Sequence, residues 1–106
     1  MAIIDQRDDV FTLINVFTVK QENQDTLVTL LIEATNNTMR RLPGFVSASN
    51  HKSLDNTRVV NYAQWRSKDD FDAMRTNPEA IPHMKAAAAL ASFDPIACEV
   101  SESIAR

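Results

Sequence analysis

Nine consecutive residues, Phe11-Thr-Leu-Ile-Asn-Val-Phe-Thr-Val19, put apolar side chains on both sides of one extended segment. β-Branched and aromatic residues favour the pleated conformation. Alternation sends Phe11, Leu13, Phe17 and Val19 to one face and Ile14 and Val16 to the other. A strand that is apolar on both sides belongs inside a layered fold, because each face needs cover. The rest of the chain supplies the layers in a readable order. Leu27, Leu30, Leu31 and Ala34 recur at helical spacing behind the cap-forming residues 22–25, and the helix is expected to reach Arg41 before Leu42-Pro43-Gly44 stops it. Phe45 to His51 reads as a second strand, Leu54-Asp55-Asn56-Thr57 as a hairpin turn, and Arg58 to Trp65 as a third strand. Ser67-Lys68-Asp69-Asp70 matches a capping box ahead of Phe71 and Met74. Asn77-Pro78 offers another helix start, Pro82 forces a restart, and residues 82–91 are Ala-rich and helix-favouring. Phe93 to Val100 completes the set as a strand whose Pro95 suits a start or an edge position.

The order β-α-β-β-α-β is the split βαβ arrangement of ferredoxin-like α+β folds, with a four-stranded antiparallel sheet. Residues 1–10 read as a polar arm, and residues 11–106 as a single domain. Two helices cover only one face of such a sheet. Ile14, Val16, Val60 and Tyr62 would stand on the other, and a second copy is its expected cover, in a twofold homodimer.

Composition narrows the chemistry. Gly44 is the only glycine, so neither a phosphate loop nor a dinucleotide fingerprint can be built. His51 and His83 are isolated, and a single cysteine, Cys98, precludes an internal disulfide and reads as a core thiol. No metal or organic cofactor is expected. A formal charge of −3, with basic residues scattered along the chain, argues against a nucleic-acid partner. The first residues lack a signal-peptide pattern, and no apolar run approaches the ~20 residues of a membrane span. A cytoplasmic protein without membrane association is the expectation.

The third strand carries the candidate site. In Val59-Val60-Asn61-Tyr62-Ala63-Gln64-Trp65, alternation places Asn61 between Val59 and Ala63 on an apolar face, with Trp65 beyond them. A buried amide there costs desolvation energy unless something hydrogen-bonds it. Asn61 and the Trp65 N–H are thus two aimed polar groups on an apolar wall, as a small-molecule pocket requires. A core tryptophan and an asparagine satisfied by backbone is the alternative. Asn15 faces the same way as Phe11, Leu13 and Phe17. His83, in a first helical turn, could serve as a general base if it forms part of the pocket wall. Tyr62 points the other way, and His51 reads as solvated.

These residues also resemble a known family. Pro43-Gly44-Phe45-Val46-Ser47-Ala48, the turn Asp55-Asn56-Thr57, the run from Val59 to Trp65, and Ser67 before an amphipathic helix are similar to the antibiotic biosynthesis monooxygenases, within them most to the quinone-forming enzymes of aromatic polyketide pathways. The resemblance spans about Phe11 to Val100. It implies a dimeric α+β barrel that oxidises phenolic, anthrone or quinol-like substrates with O2, without metal or flavin. It also implies that Asn61 and Trp65 donate hydrogen bonds to a developing oxyanion. The quinone-forming members carry Tyr where Phe71 stands and Arg near Met84-Lys85. Phe71, Met74, Asn15 and Lys85 are accordingly expected to contact substrate, with Lys85 as the cation. A haem-degrading branch of the superfamily uses a strand-one Asn, a helix-two Trp and a His ligand. Asn15 matches the Asn position and His83 lies within about a residue of the ligand position, but Met74 takes the place of the Trp, which leaves haem degradation behind the cofactor-free reading. A non-catalytic barrel that binds a small apolar ligand or acts in a stress response is the remaining alternative.

Overall fold

The computed structural model describes residues 10–106, so the expected arm at residues 1–10 lies almost wholly outside the described residues. Four strands form one antiparallel sheet: β1 (Phe11–Val19), β2 (Phe45–Lys52), β3 (Arg58–Trp65) and β4 (Ala91–Cys98). Their order across the sheet is β2-β3-β1-β4, with the doubly apolar β1 in the interior. Three helices complete the ferredoxin-like fold: α1 (Gln24–Asn37), α2 (Lys68–Arg75) and α3 (Ile81–Leu90).

Three expectations from the sequence differ, each for a local reason. The first helix stops at Asn37 and not at Arg41, because Thr38 leaves helical geometry (φ −133°, ψ −65°) and a separate 3-10 turn, Met39–Arg41, follows. Asn77-Pro78 starts no helix. The Asn77 side chain accepts the Glu79 N–H at 2.8 Å, which stabilises a turn between α2 and α3. The expected restart at Pro82 is present, because Pro82 sits inside the first turn of α3, where a missing N–H costs nothing. The last strand begins at Ala91, two residues early, because α3 passes into β4 without a loop. Pro95 falls mid-strand, which an edge position tolerates.

β2 carries a bulge at Val46: Phe45 lies opposite Trp65 while Ser47 lies opposite Gln64. Phe45 and Ala48, three residues apart, therefore reach the same face, against simple alternation. Hydrophobic packing under the helices falls into two clusters. Phe17, Val19, Leu27, Val59 and Ala87 form one, and Trp65, Phe71, Met74 and Ala80 the other.

Side-chain hydrogen bonds fix the turns. Buried Gln24 donates to the carbonyls of Ser53 and Arg58 at 3.2 and 2.9 Å, tying the start of α1 to the β2–β3 hairpin. In that hairpin the Asp55 carboxylate accepts the hydroxyls of Thr57 and Ser53, both at 2.7 Å, and the Thr57 N–H at 3.0 Å. These bonds, with the Thr57 hydroxyl foremost, pull the Asp55 pKa down to about 2. Ser67 caps α2 by accepting the Asp70 N–H while its hydroxyl donates to the Asp70 carboxylate, and Arg66 grips that carboxylate with two hydrogen bonds, which lowers the Asp70 pKa as well. A carboxyl whose pKa is lower folded than unfolded stabilises the protein above the unfolded value, ~3.9, and that contribution fades as pH falls through the folded one. Thermal melts of the native protein should therefore drop between pH 4 and pH 2. Asp55→Asn and Asp70→Asn should each flatten that slope; an unchanged slope would remove both carboxyls from the acid response.

Gly44 sits at φ +83°, and a Cβ there would fall on the Asp70 carboxyl group. Gly44→Ala should thus cost about 1–3 kcal/mol through strain and a displaced cap, read as a lower denaturant midpoint.

Candidate active site

A cavity of about 370 Å³ lies between the sheet and its helices. The strands build most of its wall, because Phe11, Leu13, Asn15 and Phe17 of β1 and Asn61, Ala63 and Trp65 of β3 point to the helix-covered side. α1 contributes Leu31, Ala34 and Thr35, α2 contributes Phe71 and Met74, and α3 contributes Met84. The lining is mainly apolar and aromatic, with few polar groups, as pockets for small organic ligands are.

Those polar groups have a definite arrangement. Asn50, Asn61 and Asn15 stand side by side on adjacent strands, since the register pairs Asn61 with both of the others. The Asn61 amide donates to the Asn50 side-chain oxygen at 2.7 Å, which leaves a second N–H and an oxygen on Asn61. The Asn15 side-chain oxygen is buried without a hydrogen-bond partner among the described residues. A buried acceptor left open costs about 1–3 kcal/mol. Asn15 and Asn61 line the cavity, with Asn50 outside the lining, so these two amides hold a stored capacity to bind something polar. Asn50 was not apparent from the sequence, although hairpin pairing across Asp55-Asn56 reaches it by counting.

Aromatic rings shape the far end of the cavity. Trp65, only 2% exposed, meets the Phe45 ring edge-on at 5.4 Å and lies 6.4 Å from Phe71. Phe71 stacks on Phe11 at 5.0 Å. Asn61, Trp65, Asn15, Phe71 and Met74 thus converge on one cavity. His83 and Lys85 do not line it. On α3 their neighbour Met84 takes the wall position, and residues one step either side lie ~100° around the helix. His83 instead hydrogen-bonds the buried Thr38 hydroxyl at 2.9 Å, clasping the end of α1 to the start of α3, and Lys85 is exposed to solvent. His51 is exposed, and Tyr62 is outside the lining, as expected. Cys98 is half-buried on the edge strand and outside both core clusters, because β4 has a neighbour on one side only. Lys68, Asp72 and Arg75 border the cavity from α2, which the sequence reading did not foresee. Arg75 follows Phe71 by one helical turn, and that spacing was the available signal.

The profile of the family described as antibiotic biosynthesis monooxygenase matches residues 10–90. The chain belongs to that family. Among antibiotic biosynthesis monooxygenases and their neighbours, it is 47% identical over 103 residues to tetracenomycin-F1 monooxygenase of Streptomyces glaucescens, an alignment covering 97% of this chain and 92% of that one. A monooxygenase of Streptomyces coelicolor solved in complex with nanaomycin D superposes with a TM-score of 0.78 at 29% identity, covering 97% of this chain and 99% of that one. SnoaB, a cofactor-independent oxygenase from Streptomyces nogalater, superposes with a TM-score of 0.78 at 25% identity, covering 92% and 99%. Among the described residues, no helix is long and apolar enough to cross a membrane.

Proposed function

We propose that this chain is a homodimeric, cofactor-independent monooxygenase that oxidises a phenolic, anthrone or quinol-like aromatic compound with O2. The observation that carries the reading is the apolar, ring-lined cavity into which Asn15 and Asn61 bring open hydrogen-bonding capacity. The 47% identity to tetracenomycin-F1 monooxygenase and the likeness to a cofactor-independent oxygenase support it.

Triplet O2 reacts slowly with closed-shell molecules, so an electron-rich partner must supply the first electron. An enolate or phenolate can do so itself. Coupling of the resulting radical and superoxide gives a peroxide anion, which takes back the proton lost on ionisation to become a hydroperoxide. Loss of water then leaves a carbonyl: a ring CH2 and O2 become C=O and H2O. The protein's part is to hold the anion dry beside O2 and to stabilise its oxygen. Asn61 would donate its second N–H to that oxygen, and the open Asn15 oxygen would accept a neighbouring hydroxyl. Trp65 closes the wall and offers its indole N–H.

The titratable groups of the lining, Lys68, Asp72 and Arg75, all lie on α2, and His83 is tied to Thr38. The substrate's own acidity therefore sets the ionisation. Turnover should rise with pH through the substrate's pKa, and the profile should move when a more acidic phenol is used. A profile that stays fixed across substrates would instead assign the proton to a protein base.

Oxygen uptake with an anthrone or a dihydroxynaphthalene tests the function itself. One O2 should be consumed per quinone formed, with no change on adding chelator. Inactivity across a broad phenol and quinol panel would favour the non-catalytic binding protein.

For the dimer, the support is the helix-free face. Register places Ile14 beside Tyr62 and Ile96, and Val16 beside Val60, with Ile96 45% exposed. A second copy would cover this apolar strip. Sedimentation should give a dimer at micromolar concentration, and Val60→Asp should dissociate or aggregate it. A stable native monomer would refute the assembly.

A further inference from the structure

The charged rim of the cavity is unexplained by oxygen chemistry alone. On α2 the Asp72 carboxylate is matched by Lys68 at 2.7 Å. Arg75 approaches the same carboxylate only to 3.8 Å, beyond hydrogen-bond length. Among the described residues its fork of N–H donors meets no acceptor within hydrogen-bond distance, which leaves it for another. The side chain, 62% exposed, stands at the border of the cavity, and its guanidinium lies 5.8 Å from the centroid of the Phe71 ring, which itself stacks on Phe11 inside the cavity. Stacking on an aromatic face pre-organises the planar fork, an arrangement suited to a carboxylate. Charge makes the same point. Two cations against one anion give the rim a positive sign on a chain whose formal charge is −3.

Resting on the monooxygenase reading of this cavity, we propose that Arg75 determines specificity by binding a carboxylate at the end of the aromatic substrate remote from the oxidised ring. The span fixes the kind of molecule. Phe11 and Trp65, at the α2 end, stand four residues from Asn15 and Asn61 on their strands, about 13 Å at ~3.3 Å per residue. A ligand that touches the asparagines with its reacting ring and Arg75 with its carboxylate must be a polycyclic aromatic acid of that length. A single-ring phenol reaches one end only.

Trp65 is the only tryptophan and lines the cavity, so its fluorescence reports occupancy without turnover. Anaerobic titrations with a hydroxyanthrone carboxylic acid and with its methyl ester would give both dissociation constants. The native protein should bind the acid on the order of tenfold more tightly, the scale of one charge-assisted contact. R75M should erase that preference, and R75K should keep part of it while losing the fork. Added salt should narrow the native preference. Equal affinities for acid and ester, an unaltered preference in R75M, or no quenching by either would each overturn the proposal. Oxygen uptake measured on the same pair separates the two readings. Discrimination without uptake would overturn the monooxygenase and leave Arg75 as an anion site; uptake without discrimination would overturn Arg75 alone.

Discussion

Asn61→Ala should lower turnover on the order of 10²-fold, the scale observed when one donor to a developing oxyanion is removed. Folding should suffer little. The substitution removes one part-buried hydrogen bond, to Asn50, a change worth about 1 kcal/mol. Asn50→Ala offers an internal comparison, because it frees the Asn61 amide to rotate without deleting it, so a smaller loss is expected. Steady-state oxygen uptake and thermal melting on the same preparations decide the matter. If Asn61→Ala melts several degrees lower yet keeps native turnover, Asn61 is a structural residue of the sheet and the oxyanion assignment fails.

Trp65 should show a split response. Trp65→Phe keeps most of the ring and its edge contact with Phe45 while deleting the N–H, so activity should fall with little loss of stability. Trp65→Ala removes a side chain that is 2% exposed and packed among Phe71, Met74 and Ala80, at a cost of about 3–5 kcal/mol. That is a large fraction of the stability of a small domain. Denaturant midpoints for the two variants should therefore differ widely. Similar midpoints would mean that the ring packs against an opening and contributes little to the core.

Strand positions were the legible part of this chain. A two-residue period leaves no freedom once a strand is assigned, so Asn15, Asn61 and Trp65 were assigned to one face from spacing alone, and the register puts them there. Phe71 and Met74 followed from a capping box that fixes where α2 begins. α3 offered no such anchor. Residues 86–89 are all alanine, so no apolar stripe sets the rotation of that helix about its axis. Met84, which reads as core or pocket lining, is in the wall, whereas His83 and Lys85, expected there as well, are not. The early end of α1 was hidden for a different reason: Thr38 answers to His83, 45 residues away in sequence, and such a partner has no local signature. Asn77-Pro78 carried a true turn signal, but a signal shared by helix starts and isolated turns does not choose between them.

The bulge at Val46 bears on how relatives of different length should be aligned. Because Phe45 lies opposite Trp65 with an extra residue inserted behind it, a chain lacking that residue would run as a regular ladder and bring the same ring to the same place. Insertions and deletions at this point are therefore silent in the cavity wall. Numbering offsets between homologues will change by one across Val46 with no change in which side chains face the cavity. A gap placed elsewhere in β2 would instead transpose the strand's two faces and exchange cavity residues for those of the helix-free side.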